Sequence, residues 1–486
     1  MRAIALALWV ALATIAPAAA QDRPLPHADE YDTIEGLAEW SDAVQAGITW
    51  PSIPFPAPSE RPADDGLVLR SSFWPVAVHA EPGVPDVDAA RTLAALEQAA
   101  AALDALGWPR PPYDGGRGGG SELDLYLRLD PLHEPALDPQ PLEREAPVRF
   151  ERAGIDVPTT ATDVDGAVTF AEMSAAVDPA LVPACALTAY ADAMLLAMDP
   201  AESPQWRRAT AVYLAYLVTG RFGCDESLVF LQQRESWRGF VSHDPSTGEG
   251  GALLVGAISA RHDEGTGSFV RDLWNATRQW SRDAAGDPSA GLHALPDYYY
   301  VLAHGVALAH DPLTRIVEDF GASRWLAGSR RPPHGLAYPI LGSLPPEASV
   351  QPFAQARWSE LPRAARYDGV IEPYGSAYAV CDVRGAPPGS QLRVWLRGEF
   401  GVEWALVALR LDANGEELAR MRAPPRPTPR SFLPVELLDG TATVVIAVTS
   451  LGARGLDADR PDDFSRTFRL TLDQRRDETT AEASPD

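Results

Sequence analysis

The chain has 486 residues, 46% of them hydrophobic, and a formal net charge of −26. That length accommodates two or three ordinary domains with a sizeable core, which excludes wholesale disorder. The acidic balance disfavours nucleic acid and anionic membrane surfaces as partners, and the complete absence of Lys among the 41 basic residues excludes a Walker-A phosphate loop, a Schiff-base enzyme and a Ser-x-x-Lys hydrolase.

The chain opens with "MRAIALALWVALATIAPAAAQ". Arg2 is a short positive region, Ile4 to Ile15 an apolar run, and Ala18-Ala19-Ala20 a small-residue cleavage site before Gln21. This reads as an export signal over residues 1–20, cleaved after Ala20, giving a secreted or periplasmic protein. No later stretch reaches the roughly 18 apolar residues of a membrane helix, so no membrane anchor is expected. Residues 21–65 are rich in Pro and acid and read as an extended lead-in.

From residue 66 the patterning is that of a folded domain. "LVLRSSFWPVAVHA" contains a strand, "VDAARTLAALEQAAAALDALGW" is a long Ala/Leu helix, and "ELDLYLRLD" is an alternating strand. The intervening "GGRGGGS" has the glycines of a phosphate cradle, but it precedes a strand and no Lys follows, so a tight loop is expected. "ATDVDGAVTFAE" places Asp163, Asp165, Gly166, Val168 and Glu172 at calcium-loop positions. Its first ligand position is Ala161 and no helix precedes it, so calcium is not favoured over an Asp-Gly turn entering a strand. Helices follow over 180–198, 204–219, 250–263 and 267–282. Strands first and helices later predict an α+β layer domain over 66–330.

A Pro/Gly linker spans 331–360. Over 361–473 the period becomes two, in "GSAYAVCDV", "LRVWLRGE", "WALVALRLD", "LPVELL", "TATVVIAVTS" and "TFRLTLD", with an Asn-Gly hairpin turn in "DANGEEL". These predict an antiparallel β-sandwich. Residues 474–486 form a polar, acidic tail expected to be disordered. Export permits disulfides. Cys185 and Cys224 flank one predicted helix pair, so a bridge there is expected against the alternative of two buried thiols. Cys381 sits in a strand and reads as an inert buried thiol.

None of the nine His forms H-E-x-x-H. His304 and His310 are six apart and fall on different helix faces, which does not suit shared metal ligation. The order of landmarks carries more. "FWPVAVHA", the long Ala helix, "LGWPRPPYDGGRGGGSELDLYL", the helix block "GGALLVGAISARHDEGTGSFVRDLWNATRQ" and "PYGSAYAVCDV" at the sandwich entrance resemble a family of secreted bacterial zinc metallopeptidases, from about residue 66 to 473.

That resemblance implies a zincin-like mixed strand and helix domain before the sandwich. In the family, the first active helix carries A-H-E-F-F-H-A-x-Q, with two His at i and i+4 binding Zn²⁺ and the Glu between them activating water. The matching stretch here is "LTAYADAMLLAMD". Thr188 stands at the first His, Ala189 at the Glu and Asp192 at the second His, while Ala193 and Asp199 keep the frame. In "WRRATAVYL", Arg208 stands at the Glu that would be the third ligand.

No catalytic or metal-ligating residue is therefore expected at these positions, and neither zinc nor another cofactor. Asp192 facing a guanidinium should form an ion pair within a Thr188–Asp192–Arg208 cluster, against the alternative that these residues are merely surface or cap positions. Two functions remain open. One is an exported non-catalytic homologue, a pseudopeptidase that binds protein or peptide in the old cleft or supports the sandwich. The other is an active secreted hydrolase or metallopeptidase with a relocated centre that uses His243, His262, His304 or His310.

Overall fold

The structure, a computed structural model, describes residues 61–62, 66–112, 116–129, 169–198, 204–240, 248–277, 311–330, 332, 338–387, 389–399, 402–424, 430–452 and 466–475. Short strand pieces at 52–53, 132–134, 144–146, 148–149 and 292–293 are also described. The expected export signal over 1–20, nearly all of the 21–65 segment, Ala161 to Val168 of the acidic loop, Asp199, His243, His304, His310 and the chain beyond Arg475 lie outside the described residues. The described chain is α+β, with several sheets and a helical layer.

A five-stranded mixed sheet begins the fold, in the order β1 (Leu67–Arg70), β2 (Val76–Ala80), β3 (Leu123–Arg128), β5 (Ala171–Ser174) and β4 (Val148–Arg149). The parallel pair β2–β3 is bridged by α1 (Asp86–Ala105), because parallel neighbours need a long crossover. Alternation decides the faces. Val76, Val78, Ala80, Leu123, Leu125 and Leu127 turn into the main core with Ala89, Leu96, Ala99 and Leu103 of α1. The opposite face carries Ala77, His79, Asp124 and Tyr126.

The helical layer is α2 (Val182–Met198), α3 (Pro204–Thr219), α4 (Glu226–Arg234), α5 (Ala252–His262), α6 (Ser268–Thr277) and α7 (Leu313–Ser323). In α2 the buried residues run continuously from Ala184 to Leu196. A helix apolar on every side belongs at the centre of a domain, and α1 and α3 both pack against it. A disulfide joins Cys185 of α2 to Cys224, with 5.2 Å between Cα atoms and a sequence separation of 39. A closed loop of that length should contribute ~3–4 kcal/mol through the unfolded chain. The Cys185→Ser/Cys224→Ser double variant is thus expected to unfold at lower denaturant, read by urea titration. An unchanged midpoint would mean that the bridge contributes nothing net.

The second domain has two facing sheets around one core of Val394, Leu396, Leu406, Ala408, Val435, Ile446, Val448, Leu470 and Leu472. One sheet is ordered β6 (Ala354–Arg357), β8 (Ser376–Asp382), β13 (Thr443–Ser450), β10 (Trp404–Leu411) and β11 (Glu417–Arg422). The other is ordered β7 (Arg363–Arg366), β14 (Phe468–Arg475), β9 (Gln391–Gly398) and β12 (Arg430–Glu436). Every pairing is antiparallel except β6–β8, which is parallel. The Asn-Gly turn closes β10 onto β11. Asp412 accepts the Asn414 and Glu416 amides at 2.8 Å each, and Gly415 takes φ +85°.

The five-stranded sheet is buried on both faces at its three central strands, β8, β13 and β10. Its outer residues Tyr378, Val407, Leu409, Val445 and Ala447 pack on Ala322, Trp325 and Leu326 at and beyond the end of α7, and the Tyr378 hydroxyl donates to the Gly321 carbonyl at 2.6 Å. Part of the 331–360 connection joins this layer. Ile340, Leu341, Ala348 and Val350 are all buried, and Ala354–Arg357 supplies β6. The connection is thus a packed spacer over 338–357, because its apolar residues cover surfaces that both domains leave open.

Charged groups clasp the same boundary. Asp319 of α7 accepts from Arg261 of α5 at 2.8 Å and from Arg420 of β11 at 2.9 Å, and is also paired with Arg422. Next to it, burial pushes the Glu318 carboxyl up to about 7 from an ordinary 4.5, against the pull of Arg315 and Arg420 and with the Asp319 charge adding to the rise. A carboxyl raised on folding contributes stability that is full below about 4.5 and is lost as pH rises through about 7. Glu318→Gln should therefore raise the thermal midpoint at pH 8 and leave it near the parent's at pH 4. Equal shifts at both pH values would refute this.

Candidate functional site

The helix pair α2–α3 carries the residues singled out in the sequence. Thr188 is 1% exposed and its hydroxyl donates to the Ala184 carbonyl one turn back, at 3.0 Å. That back-bond satisfies the hydroxyl inside its own helix. Ala189 is buried and offers only a methyl group. Asp192 is 2% exposed and accepts from Arg207 Nε at 2.6 Å.

The expected Thr188–Asp192–Arg208 cluster is not what the structure shows. Arg208 turns the other way and donates through Nη1 to Glu249 Oε1 at 2.9 Å. Consecutive helical residues differ by about 100° in direction, so Arg207 and Arg208 cannot share one acid and take two. Arg207 meets Asp192 on α2, and Arg208 meets Glu249 on the turn before α5. That turn comes close because it is made of glycine. A Cβ on Gly251 would lie 2.8 Å from Ala209 Cβ, and one on Gly250 would lie 2.2 Å from Gln232 Cβ.

The result is two buried, hydrogen-bonded ion pairs side by side on α3. Around them, Trp274 Nε1 donates to Thr210 Oγ1 at 3.1 Å, and Thr210 donates to the Trp206 carbonyl at 2.8 Å. Each carboxylate is held by a guanidinium, which is the strongest partner available to it at neutral pH. Among the described residues no three His, Cys, Asp or Glu side chains come together as a metal set. The arrangement ties α3 to α2, to α6 and to the turn before α5.

Of the four His considered for a relocated centre, only His262 lies among the described residues. Its ring stacks on Phe269 at 4.5 Å and its Nε2 is 3.8 Å from Asp311 Oδ2. Burial lowers its pKa, with Asp311 pulling the other way. Asp311 is itself clasped by Arg261, with Nη2 at 3.0 Å. Glu172, the last position of the acidic loop, sits on β5 with Arg128 Nη1 at 3.5 Å.

A second polar cluster lies on the first sheet, and no motif marks it. His79 on β2 and Asp124 on β3 are buried on the sheet face away from α1, and His79 Nε2 lies 2.8 Å from Asp124 Oδ1. Arg61 pairs with the other Asp124 oxygen, and His79 stacks on Tyr126 at 4.7 Å. The glycine-rich loop closes over this pair. Gly116, Gly118 and Gly119 take φ of +92°, +71° and +84°, and a Cβ on Gly118 would lie 2.1 Å from Asp124 Oδ2. The loop is therefore a tight cover. The only signal in the sequence was the period of two, which puts His79 and Asp124 opposite the leucines.

No protein-family model matches this chain, and no curated protein matches it. Among solved structures, the chain is similar to the pre-peptidase C-terminal domain of collagenase from Bacillus anthracis, at 8% identity and a TM-score of 0.18. That likeness covers 26% of this chain and 97% of the other. No described helix is long and apolar enough to cross a membrane.

Proposed function

We propose that this protein is a non-catalytic, exported relative of secreted zinc metallopeptidases: a zincin-like scaffold whose metal site has been replaced by ion pairs, retained for binding protein or peptide or for supporting the sandwich. The observation that carries this reading is the pair Asp192–Arg207 beside Arg208–Glu249. Of the positions that would hold a dication and activate its water, Thr188 bonds back into its own helix, Ala189 carries only a methyl group, Asp192 is bound by Arg207, and Arg208 is itself a cation. Cationic side chains in that place repel a metal, and Ala189 cannot serve as a general base.

His262 near Asp311 supports the second reading, a relocated hydrolytic centre. Elemental analysis after dialysis against a weak chelator, together with incubation with unfolded casein, separates the two. The expected result is well under one zinc per chain and intact casein. Casein cleavage that disappears in His262→Ala would sink the pseudopeptidase reading and place the chemistry at His262.

A further inference from the structure

The four-stranded sheet of the sandwich presents its outer face to solvent, and its register builds a row that strand patterns do not reveal. Arg366 on β7 pairs directly with Arg469 on β14, Arg469 with Arg397 on β9, and Arg397 with Arg430 on β12. Four arginines, all exposed, thus stand abreast across every strand of the sheet. At the usual strand spacing the row is about 14 Å long.

Two residues along, a second row runs beside it: Ala364, Thr471, Trp395 and Phe432. Trp395 is 48% exposed and its ring lies against Phe432 at 4.2 Å between centroids. Like charges directly opposite one another destabilise a sheet. In a chain of net charge −26, four of them in register are not a by-product of a basic surface. Among the described residues, Arg397 and Arg469 have no carboxylate within 4 Å, Arg366 has only the exposed Asp368 at 3.8 Å, and Arg430 already has a partner, which leaves the first three to meet a ligand. Nearby, Asp473 is taken by Arg393 at 2.8 Å, and Glu399 accepts from Thr467.

We propose that this face is a docking surface for an acidic, extended peptide segment of another protein. Carboxylates would meet the arginine row over about five residues of extended chain, and a neighbouring apolar side chain would meet Trp395 and Phe432. Guanidinium forks match carboxylates in geometry, and Trp, Phe and Arg together are the composition of protein-binding hot spots. Nucleic acid fits less well, because its dense phosphate charge would be repelled by the rest of this acidic molecule. The surface shares no residue with α2 or α3, so it stands whether or not the helical site is catalytic.

The test is fluorescence anisotropy on the full chain, with a labelled peptide of six glutamates and two leucines as probe. Saturable binding that weakens with salt is expected. Arg397→Glu should weaken it at least ~10-fold while raising the thermal midpoint, since it places an acid between Arg469 and Arg430. Trp395→Ala should weaken it several-fold, and Arg234→Glu on α4 should leave it unchanged. No saturable binding by the parent, or equal binding by Arg397→Glu, overturns the proposal. So does an oligonucleotide that binds as tightly as the peptide with no loss in Trp395→Ala, because that describes an unselective cationic patch.

Discussion

Asp192→Ala is expected to cost ~3–5 kcal/mol of folding stability, because it leaves the Arg207 guanidinium buried without its acid. Both side chains of the pair are 3% exposed, so neither water nor salt can replace the missing partner. Arg207→Ala should cost a similar amount from the other side. The Asp192→Leu/Arg207→Met double variant should recover most of the loss, since replacing a buried pair by apolar groups of similar size is often neutral. Denaturant titration of the singles and the double, with the slope held constant, gives the coupling directly. Singles costing under ~1 kcal/mol would mean that the pair is solvated, and the packed picture of α2 would fail with it.

Arg324→Ala should have a comparable or larger effect, more than ~4 kcal/mol from orphaned carbonyls and a cavity together. Arg324 is fully buried, yet its partners are neutral. It donates to Gln233 Oε1 at 2.9 Å, to the Ser236 carbonyl at 3.4 Å and to the Gln232 carbonyl. Its guanidinium faces the Phe240 ring at 5.2 Å and the Phe320 ring at 6.0 Å. Burial lowers its pKa to about 10, with Tyr378 opposing. A lysine offers one compact ammonium where the site needs a planar fork, so Arg324→Lys should restore less than half of the loss. Ser236 also donates to the Ser376 carbonyl at 2.9 Å, which ties this hub to the sandwich. Thermal unfolding of Arg324→Ala, followed by near-UV and far-UV circular dichroism, should lose both domains in one shifted transition.

Much of the fold was legible because it rests on local period. The alternation in "LRVWLRG" gives β9, the β-branched run "TVVIAVTS" gives β13, buried on both faces, and the almost entirely apolar "ACALTAYADAMLLAM" gives a central helix. β6 and β7 were hidden because "AQAR" and "RAAR" are short, weakly apolar and set among prolines. They become strands only by pairing with β8 and β14. At the site, the sequence shows that Thr188 and Ala189 carry neither an imidazole nor a carboxylate. It does not show which of two adjacent arginines reaches Asp192, since that depends on how α3 is rotated against α2. Nor does it reveal Glu249, which is 41 residues from Arg208. The arginine row was equally hidden, because each arginine is ordinary in its own strand and only register assembles them.

The cover that α7 lays over the five-stranded sheet bears on how this protein could be engineered. A sandwich with both sheets finished in polar residues can be cut out and fused elsewhere. This one cannot, because β10 and β13 are buried from the second residue to the last. Residues 361–473 grafted onto a foreign carrier would bring an uncovered apolar face and self-associate. A variant that kept the sandwich while losing α7 would thus need a new lid over Tyr378, Leu409 and Val445.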